Sequence, residues 1–196
     1  MTTVYCATSN AGKLREFRRA AGKGVAIEPL PGLAAIPAPD EDGLTFEDNA
    51  IIKALAYGAH ASEWLFAEDS GLEVDALDGE PGIYSARYAG PGATDEANSA
   101  RVLKRLGDER DRAGRFVCVI ALVRDGHLVK TFRGTVEGLI LDAPRGTGGF
   151  GYDPIFYYEP FRCSFGETER DQKRAVSHRG VALRMLVDFL ASEAAE

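Results

Sequence analysis

Glu68 and Asp69 stand side by side, after the apolar run Trp64-Leu65-Phe66-Ala67 and before Ser70-Gly71. The run reads as a short buried strand that ends at the two acids. Their carboxyls then project from a strand's C-terminal edge, where open α/β sheets bind ligands. Adjacent carboxylates repel, which raises the proton affinity of at least one of them unless a cation lies between. With Glu41, from Asp40-Glu41-Asp42-Gly43, they make an oxygen-only donor set without His or Cys. Such a set suits Mg2+, which takes a few carboxylates together with phosphate oxygens. A solvated acidic turn would read the same way from these letters alone.

Residues able to meet an anion lie in three other places. Thr8-Ser9-Asn10-Ala11-Gly12-Lys13 is a small polar turn between a strand and a helix, with a lysine in the helix's first turn. Open amides and the positive end of the helix dipole make such a place an anion site. It departs from the phosphate-binding P-loop twice, with Ala7 for the first glycine and Leu14 for the magnesium-binding Ser or Thr, which argues against a Walker-type NTPase. Lys53 falls four residues after Asn49, on the more polar face of a helix. Lys173 and Ser177-His178-Arg179-Gly180 bring three basic groups to the start of the last helix, where the dipole disfavours cations. An anionic ligand accounts for them, as ordinary packing of His178 also would.

Gly146-Thr147-Gly148-Gly149-Phe150-Gly151 matches GxGxxG letter by letter. A dinucleotide-binding turn must open a helix, however, and Pro154 followed by Ile155-Phe156-Tyr157-Tyr158 makes one implausible. Phe150 and Tyr152 beside flexible glycines suit stacking on a flat base, with Asp153 bonding its edge; a glycine-rich surface loop is the plainer alternative. No Ser–His–Asp or Cys–His arrangement is legible. His60 and His127 read as exposed, and Ser70 lacks the strand–elbow–helix setting of a hydrolase nucleophile.

The elements that must position these groups follow from pattern. Thr3 to Thr8 reads as the first strand, and the helix after Gly12 buries Leu14 and Phe17 while Lys13, Arg15, Arg18 and Arg19 stay more exposed. A second helix starts near Thr45, which with Asp48 resembles a capping box; Ile51, Ile52, Leu55, Ala56 and Ala59 follow at helical spacing. Asp78 to Gly92 is irregular, and Asp95 to Leu106 is a helix. Phe116 to Val123 and His127 to Arg133 form a hairpin around Asp125-Gly126. Thr135 to Leu141 is a further strand, Pro144 to Pro160 is mostly loop, and the last helix runs from Ser177 through Val181, Leu183, Met185, Leu186, Phe189 and Leu190. Helices at both ends with strands and a hairpin between them predict an α/β fold, a mixed sheet flanked by helices.

Composition narrows the function further. The 196 residues are 45% hydrophobic and 27% charged, as in a single soluble domain spanning 1–196 and not in a disordered chain. The longest uncharged apolar run, Phe116 to Val123, is far short of the roughly 20 residues that span a bilayer. Met1-Thr2-Thr3-Val4-Tyr5 has no basic segment leading into an apolar one, so a secretory signal is not expected. The net charge of −7, from 23 Lys plus Arg against 30 Asp plus Glu, disfavours a long nucleic-acid partner but not a small anion held by local bases. Cys6, Cys118 and Cys163 are an odd count without paired spacing and read as reduced packing residues of a cytoplasmic protein.

Six blocks, taken in order, resemble the inosine triphosphate pyrophosphatases, the noncanonical purine NTP pyrophosphatases of the Ham1/RdgB-like family. They are Ala7 to Lys13, Thr45-Phe46-Glu47-Asp48-Asn49-Ala50, Asp69-Ser70-Gly71-Leu72, Gly82-Ile83-Tyr84-Ser85-Ala86-Arg87-Tyr88, the Gly148 to Phe156 loop and Ser177 to Gly180. The resemblance implies an elongated mixed sheet with helices, arranged as two lobes around a central substrate cleft, and a homodimer. It implies Mg2+-dependent hydrolysis of ITP, dITP and XTP to the monophosphate and pyrophosphate, with Asp69 as general base. Glu41, Glu68 and Asp69 would lie near the metal. Thr8, Ser9, Asn10, Ala11, Gly12, Lys13 and Lys53 would hold the triphosphate, and Ser70 would contact the substrate. Phe150, Gly151, Tyr152 and Asp153 would frame the base, with Lys173, His178 and Arg179 closing around base and phosphate. Glu68 departs from the pattern, since many members carry two aspartates here. Two other readings remain: a Maf-like pyrophosphatase for modified nucleotides, and a nucleotide-binding sensor without catalysis.

Overall fold

The β-branched and aromatic residues of Thr2–Cys6 form β1, the first strand of a seven-stranded mixed sheet. The structure, a computed structural model, describes residues 2–21 and 24–193. After β1 come α1 (Ala11–Ala20), β2 (Val25–Pro29), α2 (Phe46–Gly58), β3 (Leu65–Val74), α3 (Asp95–Leu106), β4 (Ala113–Arg124) and β5 (His127–Ile140). The chain continues through β6 (Phe156–Tyr158), β7 (Cys163–Ser164), α4 (Arg170–Val176) and α5 (His178–Glu193). The strand order is β2-β1-β3-β4-β5-β6-β7. β1 is parallel to β2 and β3, whereas β6 is antiparallel to β5 and β7.

The described chain divides into two compact units. The first takes in the chain up to Asp69, Cys118–Gly134 and the chain from His178 onwards. Its core joins Phe17 of α1 and Leu183, Leu186 and Leu190 of α5 to Val4, Phe66, Ile120 and Leu122 of the strands. The second unit takes in Ser70–Val117 and Thr135–Ser177, and its core joins Val102 and Leu106 of α3 to Leu72, Val74, Phe116, Val136, Phe156 and Phe165. No helix among the described residues is long and apolar enough to cross a membrane. The three cysteines are free.

Several expected boundaries hold. The α3 bounds are those read from the sequence. The β4–β5 hairpin turns at Asp125 and Gly126, both at positive φ (49° and 75°), the geometry that favours Asp-Gly. Thr45 caps α2 in a capping box with Asp48. Others do not hold. β3 does not end at Glu68-Asp69 but runs on through Ser70-Gly71 to Val74, so the two acids lie within the strand. Gly71, which reads as turn chemistry, meets a packing requirement instead: a Cβ there would strike Ser85 Oγ and stand 2.7 Å from the Gly82 carbonyl oxygen. Thr135 does not open a new strand, because β5 continues through Gly134. There too a Cβ would strike backbone, the His178 carbonyl oxygen and the Ala182 amide nitrogen (2.6 Å) at the start of α5. β1 stops at Cys6 rather than Thr8.

Helix α4 has no clear sequence signature, its seven residues being too few for a periodicity. The face of α2 is also turned from expectation. Asn49, Ala50, Ala54 and Tyr57 are buried, while Leu55 is exposed and Ile51 and Ile52 are only half-buried. Met185 of α5 is likewise exposed.

Candidate active site

In the first unit, α1, α2 and β3 bring basic and acidic groups together. Lys13, in the first turn of α1, donates from Nζ to Glu68 Oε1 at 2.5 Å. Lys53 of α2 donates from Nζ to Asp69 Oδ1 at 2.8 Å and to Glu41 Oε2 at 2.9 Å. Asn49, one turn before Lys53, donates from Nδ2 to Asp69 Oδ2 at 3.5 Å. Cys118 Sγ of β4 lies 3.9 Å from Glu68 Oε2. Arg179, second residue of α5, pairs with Glu16 of α1 at 3.3 Å and contributes positive charge to the surroundings of Glu68. His178 is buried beside it, its carbonyl against Gly134 of β5.

The two adjacent acids differ in proton affinity. Burial opposes ionisation of Glu68, but the charges of Lys13, Arg179 and Lys53 outweigh it and hold the carboxyl down at about 2. Burial also raises Asp69, where Lys53 only partly offsets it and the negative charges of Glu68 and Glu41 add to the rise. Burial lowers Lys53, yet Glu68 and Asp69 more than reverse this and keep its ammonium protonated. Neighbouring groups whose environments push their pKa values apart are suited to different acid–base roles. Asp69 is the better proton acceptor of the two, and Glu68 a fixed negative charge.

The start of α1 is more self-contained than the sequence suggests. Asn10 is its cap, and Asn10 Oδ1 accepts from the amides of Gly12 (2.8 Å) and Lys13 (3.0 Å), while the Asn10 amide donates to Thr8 Oγ1 at 3.2 Å. An anion here meets amides already bonded to Asn10 and competes with that side chain for them. Ser9 and Ala11 are exposed, and Gly12 is half-buried.

Among the described residues, no three His, Cys, Asp or Glu stand close enough to hold a metal ion by themselves. Glu41, Glu68 and Asp69 are each engaged by a lysine instead. The set remains oxygen-only, and it fits a magnesium ion that draws part of its coordination from phosphate oxygens.

In the second unit, the loop before β6 is organised around Asp153, whose Oδ2 accepts from the Phe150 amide at 2.8 Å and from Lys173 Nζ of α4 at 2.5 Å. The Lys173 ammonium lies 5.1 Å from the centroid of the Phe150 ring and 5.7 Å from that of Phe165. The Gly151 amide donates to Asp95 Oδ2 at 2.6 Å, and the Tyr152 hydroxyl donates to the Ser85 carbonyl oxygen at 2.6 Å. Tyr152 and Asp153 are buried and bonded within the unit; Phe150, Gly151 and Ser70 are half-buried. Sequence reasoning missed Ser85, Asp95 and Phe165. Ser85 lies in the Gly82–Tyr88 block, and Asp95 begins α3, but nothing local ties either to the loop.

A mixed α/β sheet, a capped strand–turn–helix start and adjacent buried carboxylates paired to lysines form the kind of arrangement that suits a phosphate-bearing anion. The chain belongs to the Ham1 family, whose pattern it matches over residues 4–189. It is 48% identical over 184 residues to a dITP/XTP pyrophosphatase of Exiguobacterium, with 93% of this chain and 94% of that one covered. It is 45% identical over 199 residues to the dITP/XTP pyrophosphatase of Geobacter sulfurreducens, each chain covered in full. Its fold matches that of the Staphylococcus aureus Ham1 protein with a TM-score of 0.88 at 41% identity, over 98% of this chain and 100% of that one.

Proposed function

We propose that this chain hydrolyses noncanonical purine nucleoside triphosphates, ITP, dITP and XTP, to the monophosphate and pyrophosphate, with Mg2+ as cofactor. One observation carries the reading: Lys53 bridges Glu41 and Asp69 beside the Lys13–Glu68 pair. A polyphosphate attracts such ammonium groups to its oxygens, and the carboxylates they leave are open to a cation and to a water molecule. The relatives named dITP/XTP pyrophosphatase support the same reading.

Phosphoryl transfer asks for positioning and charge neutralisation more than for covalent chemistry. Asp69 takes a proton from the attacking water, whose oxygen bonds to the α-phosphorus. The bond from that phosphorus to the bridging β-oxygen breaks, and pyrophosphate leaves with the electron pair. Lys13 and Lys53 offset the charge of the phosphates, with Thr8, Ser9, Asn10, Ala11 and Gly12 as further phosphate contacts. Glu41, Glu68 and Asp69 would hold the magnesium ion, which supplies additional charge neutralisation. Phe150, Gly151, Tyr152, Asp153 and Lys173 are assigned to the base, Ser70 to substrate contact, and His178 and Arg179 to base and phosphate. Donors facing the O6 position would favour a 6-oxo purine, because the exocyclic amine of adenine would leave them unpaired; GTP, which has the same O6 acceptor, would have to be rejected at its 2-amino group by shape or by the lack of an acceptor there. A homodimer in the cytoplasm completes the proposal.

Pyrophosphate release from ITP, XTP, dITP, GTP and ATP, with and without Mg2+, tests it. Preferred turnover of ITP, dITP and XTP that needs Mg2+ is expected. Equal slow turnover of all five, or release of single phosphates, would overturn it.

A further inference from the structure

α2 presents two polar side chains one turn apart, and both reach the same two stretches of chain. Lys53 holds Asp69 by Oδ1 and Glu41 by Oε2. Asn49 donates from Nδ2 to the other oxygen of Asp69 (3.5 Å), and its own Oδ1 accepts from the backbone N–H of Gly43, two residues beyond Glu41, at 2.9 Å. Asn49 is 1% exposed. The Glu41 loop is drawn so close to α2 that a Cβ on Gly43 would stand 2.6 Å from Asp48 Cβ and 2.8 Å from Asn49 Oδ1.

We propose that Asn49 is a positioning residue that anchors the Asp69 carboxylate and the Glu41 loop to one point on α2, and so keeps both carboxylates in place when Lys53 turns to a phosphate. The inference rests on the proposed function and deepens it. Lys53 is a flexible cation, and a phosphate competes for it. The Asn49 amide is neutral, buried and bonded at both ends, so a phosphate competes for it less than for the Lys53 ammonium, and it orients Asp69 without the strong suppression of basicity that a cation imposes. Asparagine offers a donor and an acceptor on one short side chain. Aspartate would lack the donor and leucine both, and here both ends of the buried amide are bonded.

Asn49→Leu, close in size, and Gly43→Ala, which pushes the loop from the other side, test the idea. Melting temperature establishes that each variant folds, and if Asn49→Leu does not, Gly43→Ala carries the test. Removing groups that orient reacting side chains costs about 10–100-fold, so kcat for ITP falls by about that factor in Asn49→Leu while KM stays within a few-fold. Crystal structures of the variants with inorganic pyrophosphate bound, so that Lys53 is engaged by phosphate oxygens, should show Asp69 turned from α2 in Asn49→Leu and the Glu41 loop displaced in both. Carboxylates at their wild-type positions, or a kcat that falls only with the folded fraction, would overturn the assignment. If the wild type releases no pyrophosphate from any triphosphate, the proposed function fails. The crystal structures then decide the positioning alone, displaced carboxylates supporting it and unmoved ones refuting it.

Discussion

Replacing Glu68 by glutamine removes the charge of this buried side chain and keeps its shape. In the folded protein Lys13, Arg179 and Lys53 overcome the effect of burial and hold the Glu68 carboxyl at about 2, against an ordinary 4.5. Because the folded value lies below the unfolded one, the stabilisation is complete above 4.5 and is lost as pH falls toward 2. At about 1.4 kcal/mol for each tenfold change in proton affinity, the drop from 4.5 to about 2 amounts to about 3 kcal/mol, of which about 2 kcal/mol is gone by about pH 3. The assay is urea unfolding of wild type and Glu68→Gln at steps from about pH 7 to about pH 3 with divalent metal chelated. Guanidinium is unsuitable because its salt screens the ion pairs. The wild type's advantage over the variant should shrink by about 2 kcal/mol over that range. A difference that stays flat with pH would refute the account of Glu68 as an ionised carboxylate clamped by three cations.

Asp69→Asn keeps the fold and lowers pyrophosphate release by about 10²–10⁴-fold, and a fully active variant would remove Asp69 as the base. Gly134→Ala drives a methyl group into the His178 carbonyl and the Ala182 amide, both backbone, and costs about 1–3 kcal/mol in urea melts; an unchanged melt would place α5 farther from β5 than described. Thr45→Ala deletes the hydroxyl that accepts the Asp48 amide at 3.0 Å and costs about 1 kcal/mol of stability.

What the sequence discloses is what local chemistry decides. The α2 cap, the Asp-Gly hairpin and the α3 bounds each depend on a few neighbouring residues, and each appears where expected. β3 resists such reading because Glu-Asp-Ser-Gly has the composition of a turn. It is strand because Lys13 and Lys53 compensate the acids and Gly71 fits under Ser85, and all three partners are distant in sequence. The same holds at the site. The i, i+4 spacing of Asn49 and Lys53 is visible in the letters, but their shared grip on Asp69 and the Glu41 loop is a product of the fold. Asn49 is therefore buried on the same face as Ala50, Ala54 and Tyr57, with Lys53 half-buried at its edge. Asn10 shows the opposite effect, a residue grouped with the anion site that spends its side chain capping its own helix.

The central claim is that water attacks the α-phosphorus. Hydrolysis of ITP in 18O-labelled water with Mg2+, followed by mass spectrometry of both products, reads this directly. The account predicts that the label enters the inosine monophosphate and that the pyrophosphate is unlabelled. Label in the pyrophosphate would mean attack at the β-phosphorus and would contradict it.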